Sequence, residues 1–206
     1  MVTGASRGIG EAIVEELSAH WPEAVFSLVA RGGERLEAVA RRDPGRRRAL
    51  PADLSEPDAV APLVEAAHEA WGPVDVLINN AGLYLAGPTA GLDPEAFERL
   101  LAVNVRSPWR LTRAVLPSML ERADGTIVDV ASVAAFAPVP GTPHYSGSKA
   151  ALGGASEALY GELRRSGVHV LTVYPGPIHT DMGAQAQRAL GGGAATRLVP
   201  WGTPEG

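Results

Sequence analysis

Short apolar runs alternate with helix-length amphipathic stretches along almost the whole chain, and this alternation limits the fold more than any other feature. The runs lie at 1–2, 24–30, 49–52, 74–78, 125–131 and 167–174. Between them come helical patterns at 11–20, from Gly33 onward, up to Trp71, over 92–122, and from Pro143 to about Ser166. Strand and helix in regular alternation predict parallel strands joined by helical crossovers. The expected fold is α/β: a doubly wound, mostly parallel sheet of about six strands in three α/β/α layers. Neither an internal repeat nor a linker breaks the pattern, so residues 1–206 read as a single domain. The glycine-, alanine- and proline-rich tail, 185–206, reads as a loop.

Composition removes several classes of function. A net charge of −5 argues against a nucleic-acid partner. No apolar run reaches the ~18 residues of a membrane span, and no charged segment leads into a leader-like apolar one. Cysteine is absent, which removes disulfide and thiolate chemistry and fits a cytoplasmic protein. The five histidines are scattered without metal-ligand spacing, so no metal site is expected.

Three stretches carry chemistry. Thr3-Gly4-Ala5-Ser6-Arg7-Gly8-Ile9-Gly10 lies between the first strand and the first helix. Glycines there permit a tight turn and close approach of a ligand, and the helix amides beyond attract a pyrophosphate. The second strand ends in Ala30 and Arg31, with no acidic residue, and Arg7 stands in the glycine turn. An acid at that place suits the ribose 2′-hydroxyl of NAD, whereas arginine suits a 2′-phosphate, so NADP(H) is preferred and NAD(H) possible. The basic run at 41–48 reads as a solvated loop far from any ligand crevice.

The third stretch is Tyr145-Ser146-Gly147-Ser148-Lys149. Thr142 and Pro143 make a helix start, with an N-cap residue before a first-turn proline. Tyr145 and Lys149 then share one helix face, about one turn apart. Two unit charges ~4 Å apart at an effective dielectric of ~20 interact by roughly 4 kcal/mol, which is about three pKa units. An ammonium there brings a phenol toward the working range of a general acid or base. Of 18 basic residues, 17 are arginine and Lys149 is the one lysine, as for a site that needs a compact ammonium. Asn104, one of three asparagines, falls within the 92–122 helical pattern, which is interrupted at Pro108. Its poor helix propensity points to a specific hydrogen-bonding role.

Taken together these residues resemble the classical short-chain dehydrogenase/reductase family, over nearly the whole chain and in order. The matching features are the Thr-Gly-x-x-x-Gly-x-Gly turn at 3–10, Asp53-Leu54, Asn79-Asn80-Ala81-Gly82, Asn104, Ser132, Tyr145-x-x-x-Lys149 and Pro175-Gly176. The resemblance implies a Rossmann-like fold and an oxidoreductase that interconverts a small-molecule carbonyl and a secondary alcohol with a nicotinamide cofactor. It implies that Tyr145 exchanges a proton with the substrate oxygen and that Ser132 hydrogen-bonds that oxygen. Lys149 would lower the tyrosine pKa and hold the nicotinamide ribose, with Asn104 ordering a water relay to it. Gly4, Ser6, Arg7, Gly8, Ile9 and Gly10 would form the phosphate turn, with Arg31 at the adenosine ribose. Asp53 and Leu54 would face the adenine, Asn80, Ala81 and Gly82 would line the cofactor, and Pro175, Gly176, Ile178 and Thr180 would lie at its nicotinamide end. Residues 176–206 would form the substrate loop.

Against the family pattern the first strand is short, and the chain stops where relatives begin a further helix and a seventh edge strand, an apparent truncation. The alternative reading is therefore a catalytically weak dinucleotide-binding protein or fragment. Gly153, Gly154 and Gly161 on the Tyr145 helix permit close helix packing, and together with the 92–122 segment they predict a homodimer.

Overall fold

The computed structural model describes residues 1–189 and 201–204. Its centre is a six-stranded sheet in the order β3-β2-β1-β4-β5-β6, with every pair parallel. The strands are β1 (Val2–Thr3), β2 (Phe26–Ala30), β3 (Arg47–Pro51), β4 (Val76–Asn79), β5 (Gly125–Val130) and β6 (Val168–Val173). The chain builds outward from β1 to β3, then crosses back to place β4 on the other side of β1. That reversal opens a crevice at the carboxyl ends of β1 and β4, where open parallel sheets receive ligands.

Two apolar clusters cover the two faces of the sheet. Helices α1 (Gly8–His20) and α2 (Glu34–Arg41) bury Val14, Leu36 and Val39 against Val2, Leu28 and Ile78. On the other face lie α3 (Val60–Trp71), α5 (Ser107–Arg122) and α6 (Pro143–Leu163). They bury Leu63, Leu111, Val115, Met119 and Leu159 against Val29, Leu77 and Ile127. Strands buried on both faces need continuous apolar runs, which is why the sequence shows runs rather than alternation. β6 departs from this: Val168 is buried against the second cluster, while Leu171 and Val173 on its opposite face are exposed. Among the described residues no helix is long and apolar enough to cross a membrane.

Several expectations are corrected. The 92–122 segment is broken before Pro108, by a π-helical turn (Ala102–Arg106) between α4 (Pro94–Leu101) and α5. Proline has no N–H, so Pro108 cannot bond the carbonyl of Asn104 four residues back, and the wider turn accommodates that lost bond. Thr142 precedes α6 as expected, but its hydroxyl donates to Val139 O and contacts Ser146 Oγ instead of capping the helix amides.

The basic run is only partly a solvated loop: residues 42–46 form a mostly exposed turn, but Arg47 turns inward. The Arg47 side chain is buried, pairs with Glu15 at 2.8 Å, and donates to Val39 O and Ser18 Oγ. Arg42 also pairs with Glu15, and Arg46 pairs with Asp43. The tail is only partly a loop. Residues 185–189 belong to α7 (Asp181–Ala189), and Gly202 bridges to Ile178, with its N–H donating to Pro177 O. The rest of that expectation lies outside the described residues.

Candidate active site

One cleft of about 1080 Å³ opens along the carboxyl ends of β1, β2, β4 and β5. Gly4, Ser6, Arg7, Gly8 and Ile9 line its floor. Gly4 and Gly8 have φ of 68° and 57°, a backbone that side-chain-bearing residues rarely adopt. Gly10 does not line the cleft. A Cβ there would lie 2.3 Å from Gly4 O, so its glycine lets the helix pack onto the turn. Asn80 pins the same turn, with Nδ2 donating to Thr3 O at 2.9 Å, while Thr3 Oγ1 accepts the amides of Asn80 and Ala81. No side chain caps the α1 amides, which face the cleft. This uncapped N-terminus over a glycine turn fits a pyrophosphate.

At the β2 end, Arg31 lines the cleft and carries no ion pair among the described residues. Two residues escaped the sequence reading, Arg35 and Asp181. Arg35 on α2 and the expected Arg7 both bind the Asp181 carboxylate, at 3.2 and 2.6 Å. The Arg35 and Arg7 hydrogen bonds hold that carboxyl below its usual range. Gly32 and Gly33 (φ 99° and 91°) break the spacing between Arg31 and Arg35, and Asp181 is 174 residues from Arg7, so no local signal marked this cluster.

Asp53 and Leu54 line the cleft beside it. Burial works against the Asp53 charge, but the Ser55 hydroxyl and amide, then Arg99 and Arg31, outweigh it and hold the carboxyl low. Arg99, also missed, binds Asp53 Oδ2 at 2.7 Å.

The other end gathers Ser132, Tyr145 and Lys149 with Asn80, Ala81 and Gly82. Ser132 ends β5 and Tyr145 opens α6, so the sheet sets one hydroxyl and the helix the other. The Ser132 hydroxyl and the Tyr145 phenol both line the cleft here, and the Ser132 hydroxyl accepts from Ala134 N at 3.2 Å. Burial pushes that phenol above its usual range, with Ser132 pulling the other way. This corrects the expectation that Lys149 pulls it down in this arrangement. Lys149 Nζ instead donates to Val130 O at 2.8 Å, and burial lowers its pKa to about 8, opposed by Asp129. A Cβ at Gly82 would lie 3.5 Å from Lys149 Nζ and 3.6 Å from Asn104 Oδ1. Glycine there keeps the space beside the ammonium clear.

Asn104 is fully buried and does not line the cleft. Its Oδ1 accepts from Leu83 N, and its Nδ2 donates to Leu83 O and Ser148 Oγ, at 2.8, 2.9 and 3.0 Å. The side chain thus ties the loop after β4 to α6. Pro175, Gly176, Ile178 and Thr180 lie where β6 leaves the sheet, and Trp201 returns over them against His179. Tyr84, a further residue missed in the sequence, sets its ring edge-on to Tyr145 at 4.9 Å.

A parallel sheet whose switch-point crevice joins an uncapped glycine turn to a hydroxyl, a phenol and a buried ammonium defines a class: nicotinamide-nucleotide oxidoreductases on a Rossmann-like fold. The family model described as short chain dehydrogenase matches residues 1–191, and the chain belongs to that family, whose members act on CH–OH groups with NAD(P). It is similar to an uncharacterized oxidoreductase of Staphylococcus saprophyticus, 36% identical over 186 residues, covering 88% of this chain and 79% of that one. Among solved structures it resembles a short-chain dehydrogenase from Sphingobium yanoikuyae in complex with NADPH. The TM-score is 0.85 and the identity 33%, covering 99% of this chain and 78% of that one. It also resembles a 3-ketoacyl-(acyl-carrier-protein) reductase from Brucella melitensis complexed with NADH. Here the TM-score is 0.89 and the identity 28%, covering 98% and 84%.

Proposed function

We propose that this chain, acting as one dinucleotide-binding unit, interconverts a small-molecule carbonyl compound and a secondary alcohol, with NADP(H) preferred over NAD(H). The observation that carries the reading is the Ser132 hydroxyl and the Tyr145 phenol on one cleft, with Lys149 one turn further along α6 and the glycine turn at the other end. Ser132 and Tyr145 present two hydroxyl groups to one point, where a carbonyl oxygen accepts both. A phenol held above its usual range keeps its proton at neutral pH, so Tyr145 serves reduction as the acid that protonates the developing alkoxide. Bound NADP(H) supplies or accepts the hydride. Lys149 places a positive charge at the edge of this site, beside the space over Gly82.

The turn at 3–10 and the α1 amides hold the pyrophosphate. Asp53 and Leu54 take the adenine side, Asn80, Ala81 and Gly82 the middle, and Pro175, Gly176, Ile178 and Thr180 the nicotinamide side. Arg7, Arg31 and Arg35 gather positive charge where a 2′-phosphate would lie, which supports NADP(H). We further propose a cytoplasmic homodimer built on α5 and α6.

The test is NADPH oxidation with a panel of carbonyl compounds, Tyr145→Phe alongside. The variant keeps the ring and loses the hydroxyl, so turnover should fall by at least about 10²-fold. Turnover that survives within threefold would refute the assignment. Nucleotide binding without turnover on any carbonyl would leave only a binding role.

A further inference from the structure

Lys149 is buried, and the residue just before the carbonyl it bonds carries a buried ionisable group. That group is Asp129 of β5, 3% exposed, with no part in the chemistry above. Its register partners are Asn79 on β4 and Thr172 on β6. Asn79 Nδ2 donates to Asp129 Oδ1 at 2.8 Å. Ser156 on α6 accepts from Thr172 Oγ1 at 2.8 Å, and its hydroxyl favours the charged form of the same carboxyl. Burial pushes the Asp129 pKa up, while the Asn79 donor, Ser156 and the Lys149 charge act against that and favour the carboxylate.

The next residue, Val130, supplies the carbonyl that seats Lys149 Nζ. Each of the two charges favours the charged form of the other, against burial. Tyr145, the other titratable group nearby, feels neither. An isolated ammonium in such a place tends to shed its proton, and a nearby carboxylate opposes that loss.

We propose that Asp129 is a positioning residue, the buried counter-ion that keeps Lys149 charged and seated on Val130. The proposal rests on the reading that Lys149 serves this site as a cation. It also gives a reason for burying Asp129 and Asn79 side by side within the sheet.

The composition supplies the experiment. With one lysine in the chain, protein carrying lysine labelled with ¹³C and ¹⁵N at the side-chain end gives a single resonance that reports Lys149. Asp129→Asn keeps the side chain's shape and removes its charge. The lysine midpoint should fall by about one pH unit or more, and the alkaline limb of kcat/KM should move to lower pH with it. An unchanged midpoint overturns the proposal.

Should Asp129→Asn fail to fold, the unmutated protein decides. The Asp129 carboxyl carbon shift at pH 7 should be that of a carboxylate, and a protonated carboxyl overturns the proposal. Absent turnover in the unmutated chain would strike the oxidoreductase reading, while the lysine resonance would still report on Asp129.

Discussion

Tyr145, Ser132 and Lys149 each admit a substitution that separates chemistry from packing. Ser132→Ala removes a hydrogen bond to the developing oxyanion, and turnover should fall by about 10–10²-fold with nucleotide binding retained. Lys149→Arg keeps the charge but spreads it over a larger planar group, which cannot occupy the seat on Val130 O; steady-state assays should show loss of activity comparable to a charge deletion. Since burial lowers the Lys149 pKa to about 8, its charge is present below that value and lost above it. kcat/KM for carbonyl reduction should therefore decline as pH rises through about 8, and a profile flat from 7 to 9 would contradict the role given to the ammonium. Gly10→Ala would force a Cβ within 2.3 Å of Gly4 O, and thermal unfolding should report a loss of about 1–3 kcal/mol together with weakened nucleotide binding.

At the scale of elements, two junctions position the site. The π turn between α4 and α5 places Asn104 so that it bridges Leu83 and Ser148. Asn104→Ala leaves buried groups unpaired, and should cost about 1–3 kcal/mol by denaturant unfolding as well as activity. The second junction is the Glu15 cluster joining α1 to β3. The Arg47 hydrogen bond lowers the Glu15 pKa from 4.5 to about 2, against burial and with help from Arg42. A depressed carboxylate contributes stability that is complete above its unfolded value and disappears as pH falls through its folded one. The contribution is thus present above pH 4.5 and lost toward pH 2. Arg47→Met should flatten that dependence, which melting temperatures at pH 6 and pH 3 will show.

For the whole molecule, two predictions concern ligand and partner. A nucleotide that binds only the folded chain raises its melting temperature by mass action. NADPH should therefore raise it more than NADH at equal concentration, and Arg31→Asp should reverse the order. Equal shifts in the unmutated chain would count against the NADP(H) preference.

The proposed dimer needs α6 to meet its copy closely. Of the three glycines behind that expectation, Gly153 packs inward, where a Cβ would lie 2.6 Å from the Tyr174 hydroxyl, but Gly154 and Gly161 have open space before them. Gly147 lies seven residues before Gly154, so the open glycines form one stripe, with Tyr160 exposed beside Gly161. Gly154→Arg should leave folding intact and give a monomer by light scattering. A monomeric unmutated chain at micromolar concentration would rule the dimer out.

The sequence by itself determined the parallel α/β architecture, because strands buried on both faces need unbroken apolar runs and crossovers need helices between them. It also determined the turn at 3–10 and the Tyr145–Lys149 pair, since a few adjacent residues carry each one's geometry: glycines where φ must be positive, and two side chains on one helix face. Only the tertiary structure decided what those residues experience. Arg35, Arg99 and Asp181 reach the cleft from segments far apart in the chain, and Arg47 is drawn into the interior by Glu15. The direction of the Tyr145 and Lys149 shifts follows from burial, which depends on every element packed around them and on no local spacing. Asp129 shows the difference most plainly. In the sequence it is one acid in an apolar strand, and it gains its proposed role only once β4 and α6 bring Asn79 and Lys149 to it.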